Sequence, residues 1–381
     1  RDDQGAGAHR FRSHGRSRGT TPSRSSQDTA PTYPGAGHRD AKRSSARSLS
    51  PMTADRQLDS PVLQSVPLGP QWQTLDPFLF CAHHKDAYPS GNARLGPQAT
   101  LDGRQLGQDF AGIDGWNMYH GRRVPGFPQH PHRGFETITY VRQGLCDHSD
   151  SMGAAARFGR GDVQWMTAGS GVVHSEMFPL LDRDLPNDLH LFQIWLNLPS
   201  SDKLVDPYFT MFWTEDIPRV RRTDADGHTT EITVIAGAFD DAEPLTPPPD
   251  SWAAKPGSDV AIWHVAMPAG AHVELPPAGS ESARVVYLFE GDGLEIDGHV
   301  IAGNSGNVVV PDRELELSAT SGSVEALILQ GRPLAEPVAQ YGPFVMTTEA
   351  EIRQAILDYQ ETGFGGWPWE TDDPHHGPTQ G

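Results

Sequence analysis

The chain has 381 residues, including 40 glycines and 33 prolines, and only 21% of its residues are charged. This loop-rich composition favours an all-β protein over a helical one. The formal net charge is −19; residues 1–50 hold 10 Lys or Arg against 4 Asp or Glu, so the remaining residues carry −25. A folded part this acidic repels phosphate backbones, which argues against direct nucleic-acid binding.

Hydropathy and cysteine usage restrict the compartment. No apolar run reaches the roughly 18 residues that a membrane helix requires, and no apolar signal-peptide core is present. The two cysteines, Cys81 and Cys146, form no motif spacing, so a disulfide framework is not expected. We therefore expect a cytoplasmic protein in a reducing setting, without a membrane contact.

The N-terminal segment differs in composition from the rest. It is rich in Ser, Arg, Gly and Thr and has almost no large apolar side chains. Such a segment cannot bury enough surface to offset the entropy of ordering its backbone. The sequence therefore predicts a disordered low-complexity extension over residues 1–55.

Short strand-like segments recur from residue 62 onward, with little helical periodicity between them. They are rich in β-branched and aromatic residues, and most are closed by Gly, Pro, Asn or Asp. Examples are FETITYV, GDVQWMTA, LHLFQIWLNL, EITVIAGAF, ARVVYLFEG and VEALILQG. Many short strands with frequent turns indicate sandwiches or barrels. Turn residues near Ser200 separate two strand-rich halves, which predicts domains over residues 62–198 and 199–345.

One helix is predicted within a C-terminal helix and tail, residues 346–381. Thr348 and Glu351 have the spacing of a capping box, and apolar residues from Ile352 onward repeat on one face. Gly363 follows where the helix is expected to end. The apolar face of this helix should pack on a barrel.

Two pairs of polar residues carry the chemistry. In GFPQHPHRGFETITYV, His130 and His132 are spaced i, i+2 and point to the same side of an extended chain. Pro131 disfavours the α conformation for His130 and confines the segment to an edge strand. In GDVQWMTAGSGVVHSEMFP, His174 and Glu176 have the same spacing. One such pair can be two solvated loop residues, whereas two pairs in a strand-dense region favour a metal site.

The ligand set indicates the type of chemistry, but it does not identify the ion. Three neutral imidazoles and one carboxylate form a mixed nitrogen and oxygen site for a divalent first-row metal. Four protein ligands leave two positions of an octahedral ion open, and these can take dioxygen and a substrate oxygen. Fe(2+), Mn, Ni, Cu and Zn all suit these ligands, so the ligand set alone does not select among them.

The motifs GFPQHPHRGFET and GDVQWMTAGSGVVHSEM resemble those of the pirin family of bicupins. The resemblance extends over about residues 62–368 and includes QIWLNLPSSDKLVDPYF and LQGRPLAEPVAQYGPFVMTTEAEIRQAILDY. It implies two cupin-type (jelly-roll) β-barrels packed face to face, with a metal in the first barrel only. Carried over by position, the ligands are His130, His132, His174 and Glu176. Pirins are often monomers, so we expect a monomer.

The resemblance also implies two classes of function. Pirins bind iron, so the resemblance favours Fe(2+) as the cofactor. Some pirins open the ring of flavonols such as quercetin with dioxygen, while others are transcriptional coregulators or partners of metabolic enzymes. The leading hypothesis is a quercetin 2,3-dioxygenase-type enzyme that takes a flavonol-like substrate and O2, with Glu176 as the catalytic base. The alternative is a non-enzymatic, iron-binding, redox-sensing regulatory protein that binds protein partners. A stable bicupin with a vestigial site is the third option.

Several nearby residues leave alternatives open. Generic cupins take their carboxylate from the first motif, which here is Glu136, and strand parity does not exclude it; otherwise it is a supporting residue or an ion-pair partner of Arg133. His148 is interpreted as a turn-stabilising side chain, with a supporting role at the site as the second option. Gln193 either hydrogen-bonds a ligand or is a satisfied core amide. The long polar stretch 81–121 predicts a lid or a subunit contact.

Other histidines lack the pattern of a metal site. In the second half, His264, His272 and His299 form no H-x-H pair, so we expect no second metal there. His83 and His84 are adjacent in a polar region and are expected to be solvated.

Overall fold

A computed structural model describes residues 60–372. The predicted N-terminal extension and the last residues of the tail lie outside the described residues. The first half contains these strands: β1 (Val62–Pro67), β2 (Gln71–Trp72), β3 (Phe78–Asp86), β4 (Gly126–His132), β5 (Phe135–Gln143), β6 (Leu145–Asp150), β7 (Ala155–Gly159), β8 (Val163–Thr167), β9 (Val172–Met177), β10 (Leu189–Asn197) and β11 (Tyr208–Phe212).

The second half is also built from strands and ends in one helix, α1 (Glu349–Thr362). Short 3-10 turns span Ile113–Gly115, Trp252–Ala254 and Gly363–Gly365. The strands are β12 (Arg219–Thr223), β13 (Thr229–Ala236), β14 (Ala261–Met267), β15 (His272–Leu275), β16 (Ala283–Glu290), β17 (Leu294–Ile296), β18 (His299–Ile301), β19 (Ser305–Val309), β20 (Leu315–Ala319), β21 (Val324–Gly331), β22 (Ala339–Tyr341) and β23 (Phe344–Met346). Over residues 60–372, the prediction of an all-β fold with a single C-terminal α-helix is confirmed.

The first barrel is formed by a large and a small sheet. The large sheet has the strand order β11-β8-β5-β10-β3-β2, and the small sheet has the order β4-β9-β6-β7. Alternate residues of these strands face inward, among them Val141 and Leu191 of the large sheet and Cys146 and Phe158 of the small one. The small sheet contains both histidine motifs.

The second barrel repeats this arrangement. Its large sheet has the order β1-β19-β16-β21-β14-β13-β12, and its small sheet has the order β15-β20-β17-β18. A hydrophobic core that includes Trp263, Val286 and Leu317 fills the space between them. Buried Arg284, which donates to Gln330 at 2.8 Å, lies against the Trp263 ring of this core.

Edge strands cross the predicted domain boundary near residue 198. β1 precedes the first barrel in sequence but pairs antiparallel with β19 of the second, with Val66 opposite Gly306. β11 follows the boundary but pairs with β8 of the first barrel, with Phe209 opposite Met166. Each exchange covers an edge of a large sheet, which would otherwise present unpaired backbone groups. The structural units are therefore interleaved along the chain.

The two large sheets pack against each other through a continuous apolar layer. Trp72, Ile138 and Phe192 come from the first barrel, and Tyr287 and Leu329 come from the second. The rings of Trp72 and Tyr287 are stacked, with their centroids 5.1 Å apart. The barrels therefore face each other with their large sheets, which is the predicted bicupin arrangement.

Helix α1 has the ends that the sequence predicts. The Thr348 side chain accepts from the backbone N–H of Glu351, whose carboxylate accepts in return from the backbone N–H of Thr348. Gly363 ends the helix in the left-handed region, at φ 56°. Ile352 packs in one cluster with Val173 of β9, so the helix covers the sheet that carries the histidines. Within residues 60–372, no helix is long and apolar enough to cross a membrane.

Candidate metal centre

Strands β4 and β9 bring the two histidine motifs side by side. His130 of β4 lies directly opposite His174 of β9, and a bulge precedes His130 after Phe127. His132 is two residues further along β4 and therefore faces the same side as His130. β4 is the edge strand of its sheet, a position that accommodates Pro131.

The three imidazoles meet closely enough to share one ion. The Nε2 atoms of His130 and His174 are 3.0 Å apart, and one candidate ligand atom from each of the three histidines lies within 4.8 Å of the other two. Two nitrogens bound to one ion at about 2.1 Å lie roughly 3 Å apart, so the spacing suits a shared metal. All three histidines predicted from the sequence are thus brought together.

Backbone carbonyls set the tautomers of two of these rings. His130 Nδ1 donates to the Pro128 carbonyl at 2.9 Å, and His132 Nδ1 donates to the Pro343 carbonyl at 3.4 Å. A carbonyl only accepts, so each Nδ1 carries the proton and each Nε2 keeps its lone pair. His132 Nε2 is buried and has no hydrogen-bond partner in the described chain. This orphaned nitrogen fits a metal ligand held by an outer hydrogen bond.

Burial keeps the imidazoles neutral. It lowers the pKa of His130 to about 4. The pKa values of His132 and His174 are also held well below their usual range, first by burial and then by the neighbouring histidines. Neutral imidazole is the form that binds a metal, so the cluster is in the binding form at neutral pH.

Glu176 lies beside the three histidines inside the barrel. Its Oε2 is 3.8 Å from His174 Nε2 and accepts from Gln193 Nε2 at 2.6 Å, while its Oε1 accepts from Thr139 at 3.1 Å. Burial raises the pKa of Glu176, and the nearby His148 and these two hydrogen bonds oppose the rise. Gln193 is therefore a paired amide whose partner is the carboxylate of the site.

Glu136, the competing carboxylate, points to the opposite side of its sheet. It accepts from Trp165 Nε1 at 3.1 Å, Thr167 at 2.7 Å and Ser251 at 2.6 Å, within the layer between the two barrels. Burial raises its pKa to about 7. Its hydrogen-bond partners do not include Arg133, which instead bonds to helix α1. The pattern of generic cupins does not apply to this residue.

His148 lies in strand β6 rather than in a turn, so the turn-stabilising interpretation was wrong. Its Nε2 bonds to Asp150 Oδ2 at 3.0 Å, and its ring centroid is 5.4 Å from that of His174. In the sheet register it lies directly opposite Glu176. The H-x-D spacing of His148 and Asp150 was a signal for this shared face that the sequence analysis did not use.

The remaining histidines are held by other contacts. His83 Nε2 lies 2.8 Å from His190 Nε2, and His84 packs edge-on against Tyr119 at 4.8 Å. Both are half-buried, so the prediction of solvated side chains was wrong. In the second barrel, His264 bonds to Glu325 at 2.7 Å. Among residues 60–372, the one group of three or more clustered metal-binding side chains is His130, His132 and His174.

The polar stretch 81–121 closes the first barrel on one side. After β3 it continues as loops whose aromatic side chains join the barrel core, including Trp116 and Tyr119. Buried Arg104 bonds to Asp109 at 2.9 Å and lies 3.3 Å from the centre of the Trp116 ring. Tyr119 in turn stacks on Phe127, 5.1 Å away, just before the bulge in β4. The stretch is thus packed onto the barrel, and its roles as lid or subunit contact stay predictions.

Comparison with known proteins gives two family matches along the chain. Residues 60–196 match the Pirin family, and residues 262–365 match the Pirin C-terminal cupin domain. A candidate quercetin 2,3-dioxygenase of Pseudomonas aeruginosa is 40% identical over 260 residues, which is 67% of this chain and 84% of that protein. Pirin of Homo sapiens is 34% identical over 261 residues, or 66% of this chain and 81% of that protein.

The fold is similar to that of a solved enzyme structure. The crystal structure of quercetin 2,3-dioxygenase from Acinetobacter baumannii superimposes with a TM-score of 0.63 at 27% identity, covering 80% of this chain and 98% of that one. Both family matches fall on the described barrels, and each alignment spans most of the relative's own length. The chain therefore belongs to the pirin family.

Proposed function

We propose that this protein is a metal-dependent dioxygenase that opens the ring of a flavonol with O2, as a quercetin 2,3-dioxygenase does. The observation that carries the proposal is the cluster of His130, His132 and His174 beside Glu176 in the first barrel of a pirin. The likeness to an enzyme of that name, at 27% identity and a TM-score of 0.63, supports the same reaction class.

His130, His132, His174 and Glu176 would hold the ion in this proposal, with Fe(2+) as the proposed metal. When bound, the ion supplies Lewis acidity towards substrate oxygens and the one-electron chemistry that dioxygen requires. Phe135 and Trp195 stack on each other at 4.0 Å and pack edge-on against His132. These rings exclude water from that side of the site.

Glu176 is the proposed base. Its buried carboxylate has a raised pKa, so it can accept the proton of the flavonol hydroxyl. Gln193 and Thr139 each use one lone pair of the carboxylate and hold it in place. The overall reaction balances as flavonol plus O2 giving the ring-opened ester acid plus carbon monoxide. The proton taken by Glu176 is returned to the product.

The test is anaerobic reconstitution with Fe(2+), followed by addition of oxygen and quercetin. Loss of quercetin together with carbon monoxide release is expected. Glu176→Gln should abolish turnover, whereas Glu136→Gln should retain it, because Glu136 lies in the layer between the barrels. Absence of turnover at full metal occupancy would contradict the proposal.

A redox-sensing regulatory role is the second candidate, and one observation favours it. Arg133 follows His132 directly and bonds to Asp358 of α1 at 2.6 Å, while its guanidinium lies 4.6 Å from the centre of the Phe364 ring. The strand that carries two histidines is thus joined to the C-terminal helix. This candidate requires that catalysis is absent and that partner capture differs between Fe(2+)-loaded and Fe(3+)-loaded protein. Capture that is insensitive to the iron state would contradict it.

A further inference from the structure

The interior of the first barrel contains buried polar atoms besides those of the histidine cluster and Glu176. Both amide atoms of Gln164, the hydroxyl of Thr137 and Nδ1 of His148 are shielded from solvent. None of them has a hydrogen-bond partner among residues 60–372. A buried polar group without a partner costs stability, so each one in a folded protein calls for an explanation.

Strand alternation directs Gln164 into the barrel. Its neighbours Val163 and Trp165 belong to the layer between the two barrels, so Gln164 faces the other way. In the register of β8, β5 and β10, Gln164 is opposite Thr139, which is opposite Gln193. Thr139 and Gln193 both donate to Glu176. Gln164 therefore lies in the same row as the residues that hold the carboxylate of the site.

His148 faces the same barrel interior from the small sheet. It lies opposite Glu176 in register, and its ring stacks on Phe209 at 4.7 Å. The Asp150 carboxylate accepts a hydrogen bond from His148 Nε2, so Nε2 carries the proton. Nδ1 of His148 is therefore an acceptor. Met211, which follows Phe209 on the same face of β11, is paired with Gln164. Groups from both sheets thus face the barrel interior next to Glu176.

We propose that Gln164, with Thr137 and His148, forms a polar subsite that binds hydroxyl substituents of the aromatic ligand held at the metal centre. The Gln164 amide offers an NH2 donor and a carbonyl acceptor, and His148 Nδ1 offers a second acceptor. This combination suits phenolic O–H groups. The inference rests on the proposed function and narrows its substrate class to polyhydroxylated ring systems. Gln164 is a specificity residue in this account.

Two flavonols separate the subsite from the metal centre. Quercetin and 3-hydroxyflavone share the chelating hydroxyl and ketone, but only quercetin carries additional ring hydroxyls. Their dissociation constants are measured without oxygen on the metal-loaded full chain. The wild type should prefer quercetin. Gln164→Leu should weaken quercetin binding about tenfold and leave 3-hydroxyflavone binding unchanged, because a lost hydrogen bond affects only the ligand that makes it.

The melting temperature distinguishes a binding role of Gln164 from a merely structural one, because the two roles predict opposite changes in Tm. Removing an unpartnered buried amide should leave the Tm of Gln164→Leu unchanged or raise it. The matched control is Gln330→Leu, because Gln330 is buried in the second barrel and accepts from Arg284 at 2.8 Å. Its Tm should fall. Gln164→Met is the second variant, should leucine not fit the site.

The outcomes are distinct. A wild type without preference between the two flavonols, an equal loss on both, unchanged affinities in Gln164→Leu, or a fall in its Tm would each overturn the subsite. Binding with the predicted discrimination but no turnover in oxygen would overturn the proposed reaction and support the subsite. Turnover without discrimination between the two flavonols would support the proposed reaction and overturn the subsite.

Discussion

Two buried glutamates show how hydrogen bonds separate residues of the same chemistry. Glu176 receives two donors and stands 3.8 Å from His174, whereas Glu136 receives three donors in the layer between the barrels. Glu136 is four residues after His132, so side-chain alternation in one continuous strand would place both on the same face. The chain is not one continuous strand there, because Gly134 separates β4 from β5. Gly134 has φ 85°, and a Cβ there would collide with the Val345 carbonyl. The two glutamates thus belong to strands of different sheets.

Gln193→Leu tests the support of Glu176. The substitution removes the 2.6 Å donor to Oε2 and leaves a buried carboxylate oxygen unpaired, which raises the pKa of Glu176 further. We expect metal affinity to fall about 10- to 100-fold. Competition with a chromophoric chelator measures it. The exposed Gln340→Leu is the control, and equal affinities for both variants would refute the role of Gln193.

Glu136→Gln tests a pH-dependent contribution to folding. Burial raises the pKa of Glu136 from 4.5 to about 7, so the folded state holds this proton more tightly than the unfolded state. Its stabilisation is present below about pH 4.5 and is lost as the pH rises through 7. Between pH 5 and pH 8 the stability of the variant relative to the wild type should therefore rise by about 2–3 kcal/mol.

Urea unfolding at the two pH values measures this difference. Glu274→Gln is the control, because Glu274 is exposed in β15 and should show no such pH dependence. A gain in Glu136→Gln that is the same at pH 5 and pH 8 would show that burial does not perturb this carboxyl.

Among the secondary-structure elements, the features set by local sequence were predicted correctly. The i, i+2 spacing places both members of each pair on one face because side chains alternate in any strand. The capping box and the terminal glycine of α1 are equally local. The bulge before His130 and its register opposite His174 depend on a strand more than 40 residues away, and no local pattern specifies them.

Thr348→Ala tests the N-terminal cap of α1. The substitution removes the side chain that accepts from the Glu351 N–H, and we expect a loss of about 1 kcal/mol in unfolding free energy. Chemical denaturation measures it. Arg353→Ala, at an exposed position of the same helix, should change stability little. Equal losses for both variants would contradict a role of the cap.

At the scale of the molecule, the barrels share a core and exchange edge strands. Composition and strand density predicted two barrels, and the sharp boundary at residue 198 followed from turn residues alone. The pairing of β1 with β19 and of β11 with β8 joins segments distant in sequence. Such pairing depends on which sheet edges remain uncovered after both barrels form, and a single sequence does not reveal that.

The shared core predicts one cooperative unfolding transition. Tyr287→Ala removes the ring that stacks on Trp72 and the hydroxyl that donates to the Gln73 carbonyl. Calorimetry should show a single transition at lower temperature, with a loss of about 3–5 kcal/mol. Tyr208→Ala, at a largely exposed position, should have little effect. Two resolved transitions in either variant would mean that the barrels unfold independently.

Three histidines and one glutamate are proposed to hold a single ion. Metal stoichiometry after anaerobic loading with Fe(2+) and removal of excess ion measures this. We expect one ion per chain in the wild type and in Glu136→Gln, and almost none in His174→Ala. A full equivalent of iron retained by His174→Ala would contradict the account.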